Sequence, residues 1–448
     1  MGWQPMPQGN EFPMNIARRV FLKQGGVALV TFGAGMALGP SFLRRTVMAA
    51  EASKAGGKKV LICVFQRGAA DGLSMVAPFG DKFYYQHRKE ISLAAPTRAA
   101  AGNGGVLDLD GFFGLHPALD AFLPLYKSGE LAIVHACGSP NSSRSHFDMQ
   151  DFMESGVAGD KAVHSGWINR MLRQREEARA AADKASPFRA VAMTSVVPRT
   201  LQGEVEALAI HDLNAFGIGG SRGAGGQQVA SGFEGMYEAA VGDVLHGTGK
   251  ESFEAISMLK KAEPTKYRPA GGAEYPQGAF GRAMMQVAQL IKAEVGLEVA
   301  FVEMDGWDTH ANQGAATGQL AGRLRDFSRG IAALHRDLGE RMSDVMVLTM
   351  TEFGRAARQN GNRGTDHGHA SCFFALGGNV SGGKVLGQWP GLAPEKLFEQ
   401  RDLAVTTDFR DVFAEVAVRQ FGLGREGVGA VFPNYTVKEG SFRGVCRG

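Results

Sequence analysis

The chain has 448 residues, 44% hydrophobic and 21% charged, with a formal charge of +3. Residues 1–50 hold five basic side chains and one acid, net +4, which leaves the remainder near −1. The basic balance therefore belongs to the N-terminus, and no chain-wide charge argues for nucleic acid or an anionic membrane as a partner.

In chain order, "NIARRVFLKQGG" comes first, with Arg18 and Arg19 ahead of Phe21, Leu22 and Lys23. That is the twin-arginine arrangement of an exported bacterial precursor. The glycine-rich stretch Gly25 to Leu43 is too short and too weakly apolar for a stable membrane span. Small residues in "VMAAEA" permit cleavage near Ala49 or Ala50. Residues 1–50 therefore read as a Tat signal peptide, separate from the fold, with the Tat translocase as partner during export and a periplasmic or secreted destination. The Tat route moves folded cargo, often loaded with a metal or cofactor.

The remaining 400 or so residues exceed a usual single core, so one large α/β domain over 56–448 with an insertion at about 172–295 is expected. "KKVLICVF" and "LAIVHACG" read as buried strands, with the amphipathic "HPALDAFLPLYKSGE" between them. "SRSHFDMQDFMESG" reads as a helix. "LEVAFVEM" and "DVMVLTM" are two further strands around a helical segment from about Gln319 to Leu338. This alternation predicts an α/β fold with a largely parallel central sheet covered on both faces. "DFRDVFAEVAVRQFGL" adds a late amphipathic helix. The stretch 172–295 differs: its "FGIGGSRGAGGQQVASG" lacks a preceding strand and the G-x-G-x-x-G spacing, so it reads as a loop and not a phosphate cradle. Cys63, Cys137, Cys372 and Cys446 are widely spaced, and the first two sit in apolar runs as buried thiols.

Four places set metal-type ligands just after a predicted strand, where an open α/β sheet gathers its ligand crevice. They are Asp71 in "FQRGAADGL"; Ser142, Ser143 and Ser145 in "GSPNSSRSHF"; Asp305, Asp308 and His310 in "MDGWDTHANQ"; and Glu352 with Asp366, His367 and His369 in "TEFGRAARQNGNRGTDHGHAS". Each has an ordinary explanation: a turn at Asp71-Gly72, helix N-caps for the serines, a hydrogen-bonded pair at Asp308 and His310. Two histidines alone make a poor metal site. Together, carboxylates and imidazoles after several strands suit one or two divalent ions. A serine at a helix N-terminus can be activated there, and Arg144 offers a fork for a tetrahedral oxyanion.

This order of motifs resembles the superfamily of alkaline phosphatases, sulfatases and cofactor-independent phosphoglycerate mutases. "NSSRSH" keeps the spacing of the mutases' N-S-x-x-G-H run, and "QRGAADGL", "GWDTHANQ", "TEFGR" and "TDHGHAS" together resemble a group of Tat-exported bacterial proteins of unknown function. The resemblance implies an α/β/α sandwich with Ser142 as nucleophile. It implies one metal site of Ser142, Asp71 and Glu352, and a second of Asp308, His310 and His367 or His369. The sequence departs from the pattern where Glu352-Phe353 stands in place of Asp-His, and where Asp71 lies several residues past its strand. The expected function is a metal-dependent hydrolase of phosphate or sulfate esters, using zinc, manganese or calcium on an anionic small-molecule or polymer substrate. The alternative is a non-catalytic relative that binds an anionic polymer or a protein partner in envelope or extracellular assembly. A copper oxidase fails because only one H-x-H is present.

Overall fold

Short apolar runs bounded by polar turns become the strands of one ten-stranded sheet. The computed structural model describes residues 28–31, 59–96, 104–177, 186–213 and 266–447. The strands are β1 Ala28–Thr31, β2 Val60–Gln66, β3 Leu131–Gly138, β4 Ala190–Ala192, β5 Ala207–Ile210, β6 Val299–Met304, β7 Val345–Met350, β8 Ser371–Gly377, β9 Lys384–Leu386 and β10 Thr407–Asp408. Their order is β1-β5-β4-β6-β2-β7-β8-β3-β9, with β10 also beside β3. The expected α/β class holds, with a mixed, mostly parallel sheet: only β1 and β8 run against the rest.

Each central strand is buried on both faces, so its residues are apolar without interruption and alternate between two cores. Ile62 and Val64 of β2 face one core while Leu61, Cys63 and Phe65 face the other. The first core is closed by helices α3 (Ala279–Lys292) and α4 (Gln319–Leu338), and the second by α2 (Trp167–Glu177) and α5 (Phe409–Arg419). Phe327 on α4 shows the packing: its ring lies within 6.0 Å of the rings of Phe122, Phe280, Trp307 and Phe374. Truncating it to alanine is expected to cost about 3–5 kcal/mol.

Two stretches differ from their sequence reading. Residues 190–210, inside the expected insertion, supply β4 and β5 of the main sheet, and α3 covers it. "AVA" and "ALAI" are too short and alanine-rich to announce strands. Ala28–Thr31, inside the expected leader, pairs antiparallel with β5 at the sheet edge. An exposed edge is a template for any extended apolar segment. The rest of the leader, including its arginine pair, and the glycine-rich loop lie outside the described residues. No helix among the described residues is long and apolar enough to cross a membrane. All four cysteines are buried and unbridged.

The direction of β8 positions the site. The chain between Met350 and Ser371 contains no helix. It folds as a two-stranded ribbon, Arg355–Gln359 against Thr365–His367. Without a crossover, β8 must return antiparallel to β7. Its amino end therefore shares an edge with the carboxyl ends of β2, β3, β6 and β7, and the loops from all five converge there.

Candidate metal centre

Four side chains meet at that edge. His146 is the first residue of helix α1 (His146–Ser155), reached from β3 through a loop that ends in the N-cap Ser145. Asp308 and His310 follow β6, and His367 closes the ribbon before β8. Nε2 of His367 lies 3.0 Å from Nε2 of His146 and 3.1 Å from Nε2 of His310. The Asp308 carboxylate lies 3.0 Å from His310 Nε2, 3.3 Å from His367 Nε2 and 3.6 Å from His146 Nε2. The cluster is partly open to solvent, with His146 and His367 about one quarter exposed and His310 and Asp308 less than half.

Each imidazole is held through its other nitrogen. Nδ1 of His146 faces Glu352 Oε1 at 2.8 Å, Nδ1 of His310 faces Asp366 Oδ1 at 3.3 Å, and Nδ1 of His367 faces the Arg144 carbonyl at 3.0 Å. The Glu352 carboxylate and the Arg144 carbonyl can only accept, so Nδ1 of His146 and of His367 is the donor and their Nε2 atoms present lone pairs, whereas His310 stands between two carboxylates, Asp366 at Nδ1 and Asp308 at Nε2. Lone pairs of His146 and His367 aimed at one another across 3.0 Å repel, and a shared cation relieves that repulsion. Tetrahedral coordination at zinc–nitrogen lengths separates neighbouring donors by about 3.3–3.4 Å, within a few tenths of an ångström of what is seen. The ligand atoms of His146, Asp308 and His367 all lie within 4.8 Å of one another and fit a single zinc-class ion, with His310 Nε2 beside the last two, whereas calcium prefers six to eight oxygens.

The surroundings explain the charges. Burial pushes the Glu352 carboxyl up, but hydrogen bonds from His146, Gln150 and the Gly68 N–H overcome it and hold it below its usual value. The bond to Glu352 in turn raises His146, against burial. Burial lowers His367. Asp308 is held low by Arg355, which outweighs burial. Arg355, fully buried, clamps Asp308 with one nitrogen and donates to Thr365 Oγ1 at 3.1 Å with another. Phe353 lies under the rings of His146 and His367, at 5.0 and 5.1 Å between centroids. The departure from Asp-His thus gives the centre an apolar floor.

Of the residues singled out in the sequence, Asp308, His310 and His367 come together. Glu352 joins them only through His146. His369 points elsewhere: it is buried against Phe398, and its Nε2 meets the Ser139 carbonyl at 2.9 Å. Asp71 is not among the converging donors. Fully buried, it takes a two-pronged ion pair from Arg88, at 2.6 and 2.9 Å, and hydrogen bonds from Ser74 and Gln313. It supports the centre at a distance, because Gln313 also accepts from Thr365 Oγ1, which Arg355 engages. The Arg144 guanidinium is committed to Asp402 and Glu399 at 2.5–2.9 Å. Ser142 is exposed on the loop before α1, whose N-cap is Ser145. The sequence reading passed over His146, although it begins a helix after a strand like the other candidates. His146 closes the "NSSRSH" run, so the spacing that singled out Ser142 as nucleophile pointed to this histidine as well.

A comparison with curated proteins finds no match. Among solved structures, the lipoteichoic acid synthase LtaP from Listeria monocytogenes is similar at a TM-score of 0.27 and 8% identity, over 72% of this chain and 66% of that one. This chain thus spans a little under two thirds of the synthase's length, and a likeness this loose bears on neither reaction nor substrate. A family model matches directly: residues 130–432 fit the model of the family described as protein of unknown function (DUF1501), and they include His146, Asp308, His310 and His367. The chain belongs to the DUF1501 family.

Proposed function

We propose that the protein is a metal-dependent hydrolase of phosphate or sulfate esters, exported by the Tat pathway to act in the periplasm or beyond. The observation that carries the reading is the convergence of three imidazole Nε2 atoms on the Asp308 carboxylate, with every Nδ1 engaged elsewhere. His146, Asp308, His310 and His367 would hold the ion. When bound, it supplies Lewis acidity toward an ester oxygen. Ser142 is the nucleophile in this reading. Its Oγ bonds to phosphorus or sulfur as the bond to the ester oxygen breaks, and the serine proton leaves with the alcohol. Water then cleaves the seryl ester and releases phosphate or sulfate. The exposed position of Ser142, four residues before His146, supports that role.

One observation favours a second reading. Arg144, the side chain best shaped to hold an oxyanion, already carries two carboxylates. A non-catalytic protein that binds an anionic polymer or a partner would tolerate that pairing. The deciding experiment is elemental analysis of the purified mature protein, followed by a panel of aryl phosphate and sulfate esters with the metal found. Bound metal with turnover that His367→Ala removes supports the hydrolase. Bound metal without turnover supports the binding protein. A folded protein that neither carries nor takes up zinc, manganese or iron sinks the hydrolase and leaves the binding protein.

A further inference from the structure

We infer that Glu352 is a positioning residue for His146 and not itself a ligand, so the centre takes one ion; this rests on the metal reading above. Glu352 follows the carboxyl end of β7, where a ligand to a second ion would be sought. Its side chain is fully buried, and the hydrogen-bond positions of its Oε1 are all taken. Oε1 accepts from the Gly68 N–H at 2.8 Å, His146 Nδ1 at 2.8 Å and Gln150 Nε2 at 2.9 Å, while Thr351 Oγ1, 3.0 Å from Oε2, divides its one proton between that oxygen and the Gln66 carbonyl at 2.8 Å. Three donors saturate Oε1, and no lone pair there remains for a cation.

Asp71, the other carboxylate the sequence offers for a second ion, is consumed by Arg88, Ser74 and Gln313. Both acids of that site are thus spent on protein hydrogen bonds. What Glu352 does instead is fix one tautomer and one ring orientation. By accepting from Nδ1, it leaves His146 Nε2 as the basic nitrogen, 3.0 Å from His367 Nε2. A negative acceptor behind an imidazole also raises the ring's donor strength toward a metal. Asp366 does the same for His310, but more weakly: its contact is 3.3 Å, it is half exposed, and it shares that oxygen with Asn360 Nδ2. Behind His367 stands a neutral carbonyl. The three backings form a series, buried carboxylate, exposed carboxylate, carbonyl, so metal affinity should depend most on Glu352.

The test is zinc titration of the demetallated protein against a chromophoric chelator, for the wild type, Glu352→Gln and Asp366→Asn, with cobalt substitution to read coordination in the visible spectrum. The inference expects one equivalent in all three. Affinity should fall about 10–100-fold in Glu352→Gln and less in Asp366→Asn, with the cobalt spectrum keeping its four-coordinate form. Two equivalents in the wild type, one of them lost in Glu352→Gln, would overturn it and make Glu352 a ligand. Unchanged affinity in Glu352→Gln would overturn it as well, leaving the metal reading intact. No zinc bound by the wild type would fail the metal reading itself. If Glu352→Gln does not fold, the wild-type stoichiometry and Asp366→Asn decide: one equivalent with weakened binding in Asp366→Asn upholds the inference, and any other result overturns it.

Discussion

The Nε2 atoms of His146 and His367 stand 3.0 Å apart, though 221 residues separate them in the chain. Each has its Nδ1 fastened to a different part of the fold, one to Glu352 and the other to the Arg144 carbonyl. Replacing His367 with alanine removes the member that faces both other imidazoles. His367→Ala should abolish tight metal binding. It should also remove the stabilisation that metal gives the wild type, about 2.7 kcal/mol at a hundredfold excess over Kd. Thermal unfolding with and without added zinc reads both effects, and a variant that still gains stability from zinc would contradict the ligand set.

The nucleophile is tested separately from the ligands. Ser142 is exposed and takes no part in the converging donors, so Ser142→Ala should keep the metal content and melting temperature of the wild type. Turnover of aryl esters should fall by 10³-fold or more if the seryl ester is obligatory. Retained turnover would end the covalent mechanism.

Gly354 tests whether the centre can be broken without touching a ligand. A Cβ built there would lie 1.8 Å from the Ala370 carbonyl oxygen, between the two ends of the ribbon that delivers His367. The Gly354 N–H also donates to His369 O, and its own carbonyl accepts from the Gly368 N–H. Gly354→Ala should cost about 1–3 kcal/mol and weaken zinc binding together with stability. Equal metal affinity in a destabilised variant would show that the ribbon can move without carrying His367.

Two buried histidines set the acid side of the stability curve. His116 and His135 each accept a backbone N–H at Nδ1, from Ala118 and Ala136, and meet a backbone carbonyl at Nε2. Burial lowers both to about 4, from 6.5 in the free side chain. As pH falls through 6.5 the unfolded chain takes up protons that the native protein refuses until about 4. Stability therefore declines across that window and levels below it. At pH 5 each histidine accounts for a loss of roughly 2 kcal/mol. Urea unfolding of His367→Ala, which removes the metal contribution, should show this slope between pH 7 and pH 5. Adding His135→Gln should flatten it by about half.

The Asp71–Arg88 pair predicts a structural effect. Asp71→Asn strands a fully buried guanidinium that also holds the carbonyls of Ala356 and Ala357 in the ribbon. The expected cost is about 3–5 kcal/mol, read by urea unfolding of the metal-free protein, without loss of the one-ion stoichiometry. A lost equivalent of zinc at unchanged stability would return Asp71 to the ligands.

The parts of the fold legible in the sequence were those with long, uniform apolar runs. "KKVLICVF" and "LAIVHACG" are buried on both faces and could hardly be anything but interior strands. β4 and β5 were invisible because three or four residues rich in alanine carry no periodicity, and only their neighbours in the sheet make them strands. At the site, Asp308, His310 and His367 were legible as ligand types following strands. The roles of Glu352 and Asp71 were not, because a carboxylate's role depends on which donor reaches it first. Gly68, Gln150 and His146 reach Glu352, and Arg88 reaches Asp71 from 17 residues away.

The reversed direction of β8 has a consequence for how the protein matures. Because the chain returns to the sheet without a helix, the last donor arrives only when β8 has docked between β7 and β3. Before that event the nascent chain offers His146 at the start of α1 and Asp308 and His310 after β6, without His367. A fragment ending short of residue 367 cannot assemble the centre, and a full-length chain can do so only after its sheet has closed. On the proposed metal reading, acquisition of the ion would thereby be a late event, and a chain carrying it would be one whose central strands are already in register.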